Sequence, residues 1–303
     1  MAVDAQTLND VMDAFVRAIE GGTDALSTFA LPLLIVLGTI AFYVQYGPQL
    51  AAGGGGLGDT LAGFVLLVLK IGIFEWLVLN LPRIAAAAYD TFVLWGGSAG
   101  GGAVDLRALN PGEILQAGFV VGRPIRAFTD NLTSWAAVWD WPMLITYSLT
   151  YYAIIIGFAA LALNLMLIKI EYSLAVLLAT VLLPWGVLGS TAFLGELSVG
   201  WVTGGLVRVL LTVAIVGIAK PLFATLQFTT TGGGDPTLYT AILCGLLSLF
   251  FAIFAWVIPR SAAHMVGRSL GLSAGTLVSG VSIVVSTVTS AVRGVSSLLP
   301  RRT

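Results

Sequence analysis

Three ionisable side chains fall inside long apolar stretches of this 303-residue chain: Lys70, Glu75 and Arg208. A charge at mid-bilayer costs at least about 2.5–3.5 kcal/mol, so such a group normally faces protein or water and has a partner. Two kinds of chemistry fit these residues. One is a structural ion pair that fixes helix register, and the other is a polar lining for an ion or solute path. Lys70 and Glu75 are five residues apart, roughly 140° around a helix, and so do not pair within it. Glu75 with Arg208, across two packed helices, is the expected bridge. A single pair makes a poor proton relay, which favours the structural role.

Other chemistries lack their parts. Gly96-Gly97-Ser98-Ala99-Gly100 fits the pattern G-x-S-x-G, but a nucleophile elbow needs a strand-to-helix turn and a histidine partner. The only histidine is His264, in the C-terminal segment, and Ser98 is expected in a glycine-rich loop. Gly53–Thr60 has the glycine spacing of a phosphate loop with Asp59 where the lysine belongs, and a carboxylate there repels phosphate. Cys244 is the single cysteine, which excludes an internal disulfide. Lone His and Cys leave little for general-base or zinc chemistry. No catalytic residue, cofactor site or metal site is expected, and the chain is read as a non-enzyme.

The elements that must carry these residues are set by composition. Hydrophobic residues make up 58% and charged ones 10%. From Pro142 to Lys220 there are 79 residues with only five charges, Lys169, Glu171, Glu196, Arg208 and Lys220. Globular helices are short and keep a polar face, so a run of this length belongs in a bilayer. The fold class is an all-α polytopic membrane bundle. Its apolar runs are 28–46, 61–81, 143–168, 172–194, 199–220 and 238–258, about six spans. Pro184, Gly186, Gly189 and Gly195 give the alternative that Leu183–Leu197 is re-entrant, which reduces the count to five. Pro184-Trp185-Gly186 is the expected helix break.

Around these runs five regions are expected. Residues 1–27 hold an amphipathic helix over 7–20, with Leu8, Val11, Met12, Phe15 and Ile19 as its stripe and Gly21-Gly22 as its end. Asp4, Asp10, Asp13, Glu20 and Asp24 stand where a secretory signal has its basic region, so no cleaved signal is read there. Residues 28–81 form a two-span hairpin around the flexible linker Gly47–Thr60. Residues 82–142 are a central loop region with short helices, closing on Trp135, Trp139 and Trp141, which suit an interface. Residues 143–258 form the membrane core, in which Lys169 and Glu171 are expected to cap a tight turn between spans. Residues 259–303 are a tail rich in Gly, Ser and Thr with five arginines and no acidic residue. Gly200 and Gly204, and in the tail Gly267, Gly271 and Gly275, recur every four residues and are expected helix-packing faces.

Basic residues orient the spans. With six, both termini and the central loop lie in the cytoplasm with ten Lys and Arg, against Lys169 and Lys220 opposite. With five, the acidic N-terminus falls outside.

The ordered set Pro184-Trp185-Gly186, Thr191, Phe193, Glu196, Gly200 and Gly204-Gly205 resembles the core of the TrbL family. These are polytopic inner-membrane proteins of conjugative transfer and type IV secretion. The layout is similar too: a helical lead, two spans, a central loop, a dense cluster of spans and a small-residue tail. The resemblance implies an inner-membrane channel or scaffold subunit that oligomerises into a platform and supports pilus assembly and substrate passage. Its implied partners are secretion ATPases, core-complex and pilus proteins, further copies of itself, membrane lipids, and DNA or protein in transit. One departure is the central loop, which the family usually places in the periplasm and the charge rule places in the cytoplasm. The alternative function is an autonomous solute or ion transporter with a polar site around Lys70, Glu75 and Arg208. Against it, only one span is conspicuously broken and the two halves show no repeat.

Overall fold

The computed structural model describes residues 5–51, 57–101, 110–132, 141–228 and 237–265, and every element among them is helical. The helices are α1 (Ala5–Ala51), α2 (Leu57–Ala99), α3 (Pro111–Leu132), α4 (Trp141–Leu182), α5 (Ala192–Phe228) and α6 (Leu238–Met265). Five of them, all but α3, are long and apolar enough to cross a membrane. The chain is a multi-pass helical membrane protein.

The five-span count arises at an unexpected place. Lys169 and Glu171 do not cap a turn: α4 runs through them for 42 residues. That is about 63 Å at 1.5 Å per residue, twice the bilayer core. The segment Lys169-Ile170-Glu171 contains no helix breaker, and both charges find partners to the side. Lys169 Nζ lies 3.5 Å from Asp13 Oδ1, and Glu171 pairs with Arg208. With its charges satisfied laterally, the helix has no reason to turn there. The 143–168 and 172–194 runs therefore merge up to the break near Pro184.

Two other expected boundaries also lie inside helices. Gly21-Gly22 sits within α1, which continues to Ala51. Gly96 and Ser98, expected in a loop, lie in the last turns of α2, where Ser98 Oγ donates to Leu94 O at 3.0 Å. The glycines are there for contact. A Cβ on Gly100 would stand 2.8 Å from the Gly217 Cα on α5, and one on Gly217 would stand 3.1 Å from the Gly100 Cα, so only glycine lets the backbones touch.

The helices pack in three stacked clusters. α3, α4, α5 and α6 meet around Ile154, Phe158, Leu161, Val209 and Phe223. α1, α2, α4 and α5 meet around Ala30, Val78, Tyr172 and Leu183. α1 and α2 close over the far end around Leu34, Leu67 and Val187. Two buried threonine hydroxyls return to their own helix: Thr180 Oγ1 donates to Val176 O at 3.0 Å and Thr150 Oγ1 to Thr146 O at 2.8 Å. In lipid this satisfies them without water.

Asn164 behaves differently. It is 1% exposed and its Nδ2 donates across to Ala255 O of α6 at 2.9 Å. Interhelical polar contacts of this kind contribute about 0.6–1.7 kcal/mol in membranes. Asn164→Leu is therefore expected to lower the apparent unfolding temperature of the detergent-purified protein by a few degrees, with insertion unchanged. An unaltered melting curve would show that this bond contributes nothing.

Candidate functional site

α4 and α5 form an antiparallel hairpin whose tip carries the Pro184-Trp185-Gly186 sequence. Pro184 has no N–H with which to continue the α-helical ladder. The chain instead makes a 3-10 turn over Leu183–Val187, an extended Leu188 and a second 3-10 turn over Gly189–Thr191. Thr191 Oγ1 closes the tip by donating to Trp185 O at 2.9 Å. Gly195 packs straight onto the tip, since a Cβ there would stand 3.0 Å from Gly186 Cα.

A broken helix leaves carbonyls that need donors. Lys70 of α2 supplies one, its Nζ donating to Val187 O at 3.0 Å. An ammonium there also meets the negative end of the α4 dipole. Lys70 thus acts as a C-terminal cap delivered by a neighbouring helix. Lys70→Met is expected to strand this carbonyl at a cost of about 1–3 kcal/mol, read as a lower apparent unfolding temperature that Lys70→Arg largely restores. A Lys70→Met protein that melts with the wild type would remove the capping role.

Roughly 25 Å down the hairpin from Val187 lies a layer of charges. Arg208 Nη1 donates to Glu171 Oε2. The bridge expected between Glu75 and Arg208 is not formed, because Glu75 is exposed on α2 and Arg208 is occupied by Glu171. The antiparallel register explains the substitution: the hairpin sets Tyr172 against Gly205, so Glu171 faces Arg208 within one unit. Lys70 and Arg208 line different cavities, and Lys70, Glu75 and Arg208 do not converge on one site.

α4 divides this layer in two, since Lys169 and Glu171 point to different sides of it. On the Lys169 side a cavity of about 740 Å³ between α1, α2 and α4 is acidic, lined by Asp10, Asp13, Glu20, Asp24 and Asp90. On the Glu171 side a cavity of about 390 Å³ between α4, α5 and α6 is basic, with Arg208, Arg260 and His264 on its wall. Gly200 and Gly204 line this second cavity, and a Cβ on Gly204 would stand 3.4 Å from Ala263 O of α6. Gly267, Gly271 and Gly275 lie outside the described residues. Away from the spans, the Arg126 guanidinium of α3 is held above its ordinary pKa, first by a hydrogen bond with Tyr151 and then by nearby charge including Asp130.

Among the described residues no group of three or more His, Cys, Asp and Glu side chains is placed to hold a metal ion. Glu171, Arg260 and the acidic cavity were not singled out as a site by sequence reasoning. No sequence signal preferred Glu171: it lies between two apolar runs, and Glu196 is nearer to Arg208 along the chain.

Compared with known protein families, residues 39–258 match the TrbL/VirB6 plasmid conjugal transfer protein, more than two thirds of the chain. The chain belongs to this family. No curated protein matches it. A TrbL/VirB6 chain is a membrane component of conjugal transfer or type IV secretion, and the family is not a known enzyme family. The matched span takes in the α4–α5 hairpin, its tip, and the Glu171–Arg208 pair. The acidic residues of α1 and the Arg260–His264 end of α6 lie beyond it.

Proposed function

We propose that this TrbL/VirB6 protein is an inner-membrane channel or scaffold subunit of a type IV secretion apparatus, built into a platform from several copies and acting without catalysis of its own. Secretion ATPases supply the work, core-complex and pilus proteins are its neighbours, and DNA or protein is the cargo. The observation that carries this reading is the height of the apolar surface. On α2 alone, large apolar side chains are exposed from Leu61 (61%) to Trp95 (57%). That is about 51 Å of helix, against a hydrocarbon core of about 30 Å. Even a 40° tilt, the upper end of what is seen, leaves roughly 39 Å to cover. The hydrocarbon core alone does not cover a surface of this height, and in this reading a neighbouring copy or partner subunit buries part of it.

The test is purification of the tagged full chain from its native host in mild detergent, with the particle mass measured and accompanying proteins identified by mass spectrometry. Particles of several times 31.6 kDa that carry secretion ATPases and core-complex proteins are the expected result. A clean monomer with no such partner would refute the platform.

A further inference from the structure

We propose that the basic cavity between α4, α5 and α6 is a binding site for the phosphate of an acidic phospholipid headgroup. The proposal goes beyond the platform reading and does not depend on it.

Charge balance is the first reason. The cavity wall carries Arg208, Arg260 and Glu171. Glu171 is consumed by Arg208. Arg260 has no carboxylate partner among the described residues; its guanidinium is held instead over the Trp256 ring, 3.9 Å from the centroid. The wall is thus one anion short of neutrality.

Unused donors are the second. A guanidinium has five N–H groups; Glu171 takes one from Arg208 Nη1, and Arg208 Nε, inaccessible and without a partner, shows that the protein leaves the donors of this side chain unsaturated. The Trp256 ring under Arg260 Cζ takes a face of the guanidinium and no hydrogen bond from it. Two guanidiniums lining one cavity offer the forked recognition that suits a phosphate.

Depth and shape are the third. The α6 run Leu238–Ile258 is 21 residues without a charge, about 32 Å and so one bilayer core. Arg260 follows two residues later, at headgroup depth. Gly200 and Gly204 leave the wall open on the α5 side. A volume of about 390 Å³ accepts one phosphodiester with its glycerol, at the small end of ligand cavities, and not a polymer strand.

Native mass spectrometry of the full chain in mild detergent, titrated with phosphatidylglycerol and with phosphatidylcholine of the same acyl chains, tests the site. Wild type is expected to retain phosphatidylglycerol about tenfold better. Arg260→Gln should erase that preference, while Arg126→Gln, at an exposed side chain of α3, should leave it intact. If Arg260→Gln fails to accumulate, Arg260→Lys, which keeps the charge and loses the fork, should give a reduced preference. Inorganic phosphate in excess distinguishes the source: failure to displace the lipid supports the headgroup, and displacement supports a site for free phosphate and overturns the lipid assignment. Equal retention of the two lipids by wild type, or an unchanged preference in Arg260→Gln, overturns the site altogether.

Discussion

Arg208→Glu is expected to leave little monodisperse protein after extraction, and adding Glu171→Arg to it is expected to restore most of the wild-type yield. The Arg208 side chain is 15% exposed and that of Glu171 is 43% exposed, which places the pair between two regimes. Exposed pairs contribute about 0–1 kcal/mol, whereas removing one partner of a fully buried pair costs about 3–5 kcal/mol. Reversal is harsher than removal, because it sets two carboxylates face to face. A cost near about 3 kcal/mol is a large share of the 5–15 kcal/mol that keeps most domains folded. In the double reversal the new carboxylate at 208 regains a cation at 171 and keeps Arg260 nearby. Size-exclusion profiles of the fluorescently tagged variants read this directly. Glu75→Arg, on an exposed residue outside the pair, should neither harm the wild type nor rescue Arg208→Glu. Rescue by Glu75→Arg and not by Glu171→Arg would reverse the assignment.

Gly157→Leu is expected to undock α6 from α4. A Cβ on Gly157 would stand 2.7 Å from the backbone carbon of Ser248 and 2.8 Å from its Oγ. Backbone cannot move out of the way as a flexible side chain can, so the helices must separate. Overpacking costs about 1–3 kcal/mol where neighbours can adjust, and here the shift also breaks the Ser248 Oγ to Ala153 O bond of 3.2 Å and strains the Asn164 contact. Cys244, the only cysteine, is 7% exposed on α6 and serves as the reporter. Its maleimide labelling in detergent should rise about tenfold, the equivalent of 1.4 kcal/mol in the opening equilibrium. Gly72→Leu, where a Cβ meets nothing within 4 Å, should label like wild type. Equal labelling of Gly157→Leu and wild type would mean that the α4–α6 contact is looser than drawn.

What the sequence made legible follows from which signals are local. Apolar run length needs no partner to be read, so the membrane class and the all-helical fold were plain. Pro184 is also local, because its missing N–H interrupts any helix. Signals whose meaning depends on a partner were misread. Lys169 and Glu171 look like a polar turn in one dimension, yet Asp13 and Arg208 satisfy them from the side and α4 runs on. Gly96–Gly102 looks like a flexible loop, yet Gly96 and Gly100 are four apart and face α5. The N-terminal stripe was only partly legible: Met12 is buried, but so is Val16, outside the stripe, while Val11 and Phe15, on the expected apolar face, are 42% and 54% exposed. A long helix in a bundle buries whichever face its neighbours occupy, and amphipathicity within one segment does not specify that face.

The Glu171–Arg208 pair shows the same limit at the site. Its place inside an apolar run singled out Arg208, but Glu75, Glu171 and Glu196 all offered carboxylates, and only the register of the hairpin chooses among them. Arg260 and His264 gave no signal by themselves. They acquire meaning when α6 brings them beside Arg208 in one cavity.

The central claim is that this TrbL/VirB6 chain is a required membrane subunit of a transfer machine. The most direct test is to delete its coding sequence in frame from the element that carries it and measure transfer to a recipient, with and without the intact gene supplied in trans. The account predicts that transfer falls below detection and that the wild-type gene restores it, while Arg208→Glu does not. Undiminished transfer from the deletion strain would contradict it.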